Sequence, residues 1–156
     1  METLVGIAEL KVSKNPGKLV TIGLGSCIAV VLYDPIAKVG ALIHAMLPRA
    51  SRDRAKFNKA KFVDTAIPLA LEEMEKLGAR RERITAKLIG GAKMFPIDDK
   101  TFIGDKNAEM AENILRALGI RIMARDIGGA IGRTVEFDVS TGRVLVKTAS
   151  HGAREL

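Results

Sequence analysis

Residues 21–48 read TIGLGSCIAVVLYDPIAKVGALIHAMLP, and no other stretch restricts the fold as much. Two short apolar runs, 28–33 and 39–47, are separated by a turn at Asp34-Pro35. That pattern predicts neighbouring strands, paired antiparallel. Gly23 and Gly25 bracket a tight backbone segment directly ahead of Ser26 and Cys27. Cys27, the only cysteine, opens the first run, and His44 lies late in the second. In an antiparallel hairpin the two positions fall near the same end. A thiol beside an imidazole is the minimum apparatus for cysteine nucleophilic catalysis.

The rest of the chain predicts what surrounds this hairpin. Residues 3–12 alternate loosely and read as a strand ending at Asn15-Pro16-Gly17, and residues 19–24 form the strand that enters the glycine-rich turn. Residues 49–61 carry six basic side chains and one acidic one, Asp53, with little apolar content. They read as a loop, either a solvated connection or a basic flap that meets an acidic partner through Arg49, Arg52, Arg54 and Lys56. In residues 62–77, Val63, Ala66, Ile67, Ala70, Met74 and Leu77 recur at helical spacing, with Gly78 as the stop. Pro68 inside that pattern predicts a kink or a later start.

Residues 84–89 read as a strand running into Gly90-Gly91-Ala92. With no phosphate-loop pattern, the glycines indicate a tight turn near another backbone. Asp105 or Asn107 can cap a second helix whose inward face is Ala108, Ala111, Ile114, Leu115 and Leu118. Strands follow at 120–126, 131–139 and 143–148, and residues 149–156 read as a polar, frayed tail. The expected fold is a single layered α/β domain over residues 1–156, with two main helices and mixed, largely antiparallel sheets.

Composition narrows the function classes. At 156 residues and 47% hydrophobic content the chain can bury one sizeable core. No apolar run approaches the roughly 20 residues of a membrane span, and nothing at Met1 resembles a signal peptide. A single cysteine fits a reducing cytoplasm. There is no glutamine and there are four asparagines, a bias that suits growth at high temperature. The net charge of +7 favours an acidic partner. Few aromatics and dispersed basic residues argue against nucleic acid. No metal site is expected, because there is no second cysteine and no carboxylate–histidine cluster.

Taken singly, Cys27 can be a buried small hydrophobe and His44 a satisfied core histidine. Their setting points the other way. Cys27 ends a Gly-Leu-Gly-Ser turn whose backbone N–H groups, around Gly25 and Ser26, can converge on an oxyanion. Thr21 enters the same turn and can orient the imidazole as the third member of a triad. His151 lies in the tail and is given no role.

Thr21-x-Gly23-Leu24-Gly25-Ser26-Cys27, then His44 and Leu47-Pro48, resembles the signature of the CheD family, the chemoreceptor glutamine deamidases. Gly90-Gly91-Ala92 with Met94-Phe95, Ile103-Gly104 through Asn107, and Asp126-x-Gly128-Gly129 through Gly132-Arg133 and Phe137 resemble family segments in the same order. The resemblance implies a cytoplasmic protein-glutamine glutaminase, an amidohydrolase acting on linear amides of methyl-accepting chemotaxis receptors. The family's catalytic cysteine, histidine and threonine carry over to Cys27, His44 and Thr21. It further implies no cofactor and a CheC-type phosphatase as partner, with the chain monomeric or in a heterodimer with that phosphatase. Methylesterase activity is a secondary expectation. The competing function is a non-catalytic regulatory partner of a chemotaxis phosphatase, with Cys27 only structural.

Overall fold

The computed structural model describes residues 2–50, 58–94 and 102–156. The two apolar runs form β4 (Ile28–Asp34) and β5 (Val39–Ala45), paired antiparallel with Ala29 opposite His44 and Val31 opposite Leu42. Every residue of β5 is buried, as is every residue of β4 except the half-buried Tyr33. A strand reads as continuously apolar when both of its faces are covered, and here different layers cover them. Ile28, Val30, Leu32, Val39, Ala41, Ile43 and Ala45 face the helices α1 (Val63–Lys76) and α2 (Ile103–Ala117). Ala29, Val31 and Leu42 face a second sheet through Leu19, Val135, Phe137, Val144 and Val146.

The sheet carrying β4 has the order β2-β5-β4-β6-β7, adding β2 (Glu9–Lys14), β6 (Thr85–Gly90) and β7 (Arg121–Ile127). The facing sheet has the order β1-β3-β8-β9-β10, from β1 (Glu2–Leu4), β3 (Lys18–Leu24), β8 (Arg133–Asp138), β9 (Val144–Thr148) and β10 (Gly152–Glu155). Only β1–β3 and β6–β7 pair parallel within these sheets. The result is the expected mixed, largely antiparallel α/β domain with two main helices, stacked as helices, sheet and sheet.

Four local expectations are corrected. The strand expected over residues 3–12 is two strands in different sheets. Ala8, at a φ of 62°, breaks the run, and residues 5–8 carry the chain between layers. The tail is polar but not frayed: β10 pairs with β9, and the Leu156 N–H donates to the Val144 carbonyl. Of the two expectations at Pro68 the later start is excluded: the first helix begins at Val63, as its spacing predicts, and continues through that exposed residue. The second begins at Ile103, so neither Asp105 nor Asn107 caps it. Asp105 stands in its first turn and Asn107 is buried on its inner face.

The two sheets meet closely at Gly40, where a Cβ would lie 2.5 Å from Phe137 Cζ and 3.4 Å from the Leu32 carbonyl oxygen. Gly40→Ala should therefore destabilise the protein by about 1–3 kcal/mol through overpacking. The urea midpoint should fall at unchanged slope. Phe137→Leu in the same chain should recover part of that loss, and an unaltered midpoint in Gly40→Ala alone would contradict the packing described.

Candidate active site

The site lies between the sheets, where β3 ends and β4 begins. Thr21 projects inward from β3, and His44 projects inward from β5 at the position opposite Ala29. Both are completely buried. Thr21 Oγ1 lies 2.7 Å from His44 Nδ1 and donates to the Val5 carbonyl at 2.5 Å. A hydroxyl has one proton, and a carbonyl can only accept. With that proton committed to Val5, Thr21 must accept from His44, which places the imidazole proton on Nδ1. Nε2 is then the basic nitrogen, buried and without a hydrogen-bond partner among the described residues.

Cys27 is half-buried and packs against the intersheet cluster that contains Ala29 and Leu42. Strand alternation puts it on the face that carries His44, displaced diagonally by two residues from Ala29. Sequence reasoning brought these three residues together, and the structure places all three at one end of the sheet interface. Cys27 Sγ is not hydrogen-bonded to His44 Nε2 in this resting arrangement. Burial pushes the Cys27 thiol up, an effect its own backbone N–H partly offsets, and burial pushes the His44 imidazole down. Both shifts favour the neutral forms, thiol and imidazole.

The turn that presents Cys27 is held by its carbonyls. Ala92 N–H donates to Gly25, Asn107 Nδ2 to Ser26 and Gly91 N–H to Cys27, each at 2.9 Å. Gly90, at a φ of 109°, lies so close that a Cβ would come within 2.5 Å of the Cys27 carbonyl oxygen. The paired glycines thus serve the close backbone approach read from the sequence, and the neighbouring backbone is the cysteine turn itself. The N–H groups of Ser26 and Cys27 donate to no other residue among those described.

Sequence reasoning missed two contributors. Val5 acts through a backbone carbonyl, which leaves no mark on residue type. Asn107 did leave one, a polar residue at helical spacing from the apolar Ala111 and Leu115. Among the described residues no cluster of three or more His, Cys, Asp or Glu side chains forms. Arg49 is exposed beyond β5, while Arg52, Arg54 and Lys56 lie outside the described residues. The His151 ring meets Ser150 Oγ at 2.8 Å, and its backbone N–H donates to Thr148 Oγ1 at 3.0 Å.

The burial of His44 has a readable consequence. Proton NMR of the imidazole should give a titration midpoint below the usual 6.5, because the buried site disfavours imidazolium. A midpoint at or above 6.5 would contradict this environment.

With this geometry in place, the chain can be set beside known proteins. Residues 46–148 match the family model described as CheD chemotactic sensory transduction. Thr21, Cys27 and His44 precede that span but lie within the alignments to whole relatives. A Clostridium botulinum protein named "Probable chemoreceptor glutamine deamidase CheD" is 48% identical over 158 residues, covering 99% of this chain and 98% of its own length. A Desulforamulus reducens protein of the same name is 49% identical over 150 residues, covering 94% and 90%. Among solved structures, a Neisseria meningitidis protein of the DUF152 family aligns with a TM-score of 0.49 at 11% identity, over 83% of this chain and 62% of its own. By the family match and the near full-length identity to its relatives, this chain belongs to the CheD family.

Proposed function

We propose that this chain is a protein-glutamine deamidase that converts selected glutamine side chains of methyl-accepting chemotaxis receptors to glutamate. One observation carries the chemistry. The Thr21 hydroxyl proton is committed to the Val5 carbonyl, so the free basic nitrogen of His44 is Nε2, on the face it shares with Cys27. The substrate class comes from the names of the relatives.

The reaction runs in two halves. His44 Nε2 takes the Cys27 proton as Sγ attacks the carboxamide carbon of the substrate. The tetrahedral oxyanion is met by the available Ser26 and Cys27 N–H groups. The new imidazolium still donates from Nδ1 to Thr21, so no rearrangement accompanies its formation. His44 then delivers its proton to the departing nitrogen, and ammonia leaves. Water, deprotonated by His44, attacks the γ-glutamyl thioester and returns the thiol with a glutamate product. A methyl ester presents the same acyl carbon with a better leaving group, which supports methylesterase activity as a secondary reaction. A CheC-type phosphatase is the second partner in this reading, with the chain monomeric or in a heterodimer with it. The competing function is a regulatory binding protein in which Cys27 only packs.

Peptide mass spectrometry of a recombinant receptor cytoplasmic fragment tests this directly. Wild type should convert glutamine to glutamate, and Cys27→Ala should abolish conversion. His44→Ala should slow it on the order of 10²–10⁴-fold. Thr21→Val should be impaired and Thr21→Ser should retain activity. Conversion surviving Cys27→Ala would remove the thiol mechanism. Phosphatase binding without conversion by wild type would favour the regulatory protein.

Receptor signalling regions are acidic helical bundles in this account, and Arg49, Arg52, Arg54 and Lys56 are the proposed steering charges. Changing all four to Gln should slow deamidation at low ionic strength. The difference should shrink as the screening length falls from about 30 Å at 0.01 M salt to about 8 Å at 0.15 M. Equal rates at low salt would remove the steering role.

A further inference from the structure

Asn107 stands one helical turn into α2, and its position is tightly determined. Gly104, three residues earlier, approaches the Gly91-Ala92 segment so closely that a Cβ would lie 2.4 Å from the Ala92 carbonyl oxygen and 2.6 Å from that of Gly91. The helix can seat there only because that position lacks a side chain. Seated, it delivers the Asn107 amide between two chain segments. Nδ2 donates to the Ser26 carbonyl and to the Met46 carbonyl, each at 2.9 Å. Ser26 precedes the cysteine and Met46 follows His44 by two residues, so one amide group spans the two halves of the site.

Oδ1 of the same side chain is buried with no partner among the described residues. A buried acceptor left unpaired is costly, and an alanine would remove that cost. The arrangement therefore makes sense through what the two N–H donors accomplish. The peptide between Ser26 and Cys27 is planar and trans, since the cis bond described is Asn15–Pro16. In a trans peptide the C=O and the N–H point in opposite directions. Holding the Ser26 carbonyl toward Asn107 fixes the Cys27 N–H on the other side. That N–H has no acceptor among the other described residues. It also favours the thiolate of its own side chain, which offsets the burial of the thiol in part. By the same rule, Ala92 N–H on the Gly25 carbonyl aims the N–H of Ser26.

We infer that Asn107 is a positioning residue for the oxyanion site. By gripping the Ser26 carbonyl it aims the Cys27 N–H at the oxygen of the tetrahedral intermediate, and by gripping the Met46 carbonyl it sets the cysteine turn against the strand end that carries His44. The inference deepens the deamidase reading and rests on it. Asn107 does not touch the substrate. Its effect falls on the charge that develops during the reaction, and substrate binding does not need it.

The test compares wild type with Asn107→Ala in full-length protein, using two reactions of Cys27. Deamidation of the receptor fragment builds an oxyanion. Alkylation by iodoacetamide is a displacement at a saturated carbon and builds none, so its rate follows thiolate availability alone. Asn107→Ala should lower kcat for deamidation about tenfold to a hundredfold, less than or near the effect of deleting a donor outright. KM should stay at its wild-type value, and the alkylation rate should fall far less than kcat, because the Cys27 N–H offsets the burial of the thiol only in part. Asn107→Asp, equal in volume but unable to donate when ionised, should behave alike and serves if the alanine variant does not fold. Wild-type kcat in a folded variant would overturn the inference. So would a parallel loss of alkylation and deamidation, or failure of both variants to fold, because the residue would then support the domain as a whole. Absence of conversion by wild type is a separate result, which removes the deamidase reading itself.

Discussion

The ladder between β4 and β5 is the constraint from which the rest of the structure follows. Its two strands are covered by helices on one face and by a second sheet on the other, so nearly every side chain along them is buried. A strand pair in that position cannot slip by one residue without exchanging its two faces. The register that packs Val31 and Leu42 against the second sheet also turns His44 toward it. Core packing and the orientation of the candidate base are thus one choice. The intersheet layer admits polar groups at one end, where Thr21, His44 and the Val5 carbonyl meet.

Burial at that end shapes the chemistry the site can perform. It favours the neutral forms of the thiol and the imidazole and keeps solvent from competing for the hydrogen bonds of the imidazole. The polar groups that orient the site have named partners. The single proton of Thr21 goes to Val5, the Nδ1 proton of His44 goes to Thr21, and the three carbonyls of the cysteine turn go to Ala92, Asn107 and Gly91. Among the described residues, His44 Nε2, Asn107 Oδ1 and the N–H groups of Ser26 and Cys27 have no partner in another residue. Nε2 and the two N–H groups are what the proposed acyl transfer to Cys27 would use.

Much of this was legible in the sequence because it depends on side-chain periodicity and on turn chemistry. The hairpin could be read from two apolar runs and Asp34-Pro35. The inner face of the second helix could be read from Ala108, Ala111 and Leu115. The glycine pair at 90 and 91 could be read as a close approach, though not as an approach to the cysteine turn. The features that escaped are those decided by backbone or by distant partners. Residues 3–12 alternate smoothly across a break created by the left-handed Ala8, and no residue type there demands the break. Residues 152–155 are exposed and polar, so only their hydrogen bonds to β9 reveal a strand. Asn107 resembled a cap because asparagine favours caps, and its burial became evident only once α2 was seen to start at Ile103. The proposed steering charges at Arg52, Arg54 and Lys56 rest on the sequence alone.

The central claim is that Cys27 forms a γ-glutamyl thioester that His44 helps to make and to hydrolyse. Acid quenching of wild type with a glutamine-containing receptor peptide, followed by intact-mass analysis, tests it most directly. The account predicts a peptide adduct confined to Cys27. It should be discharged by hydroxylamine with formation of the γ-glutamyl hydroxamate. Steady conversion of glutamine to glutamate with no adduct on Cys27 and no hydroxamate would contradict it, because water would then be attacking the amide without the thiol.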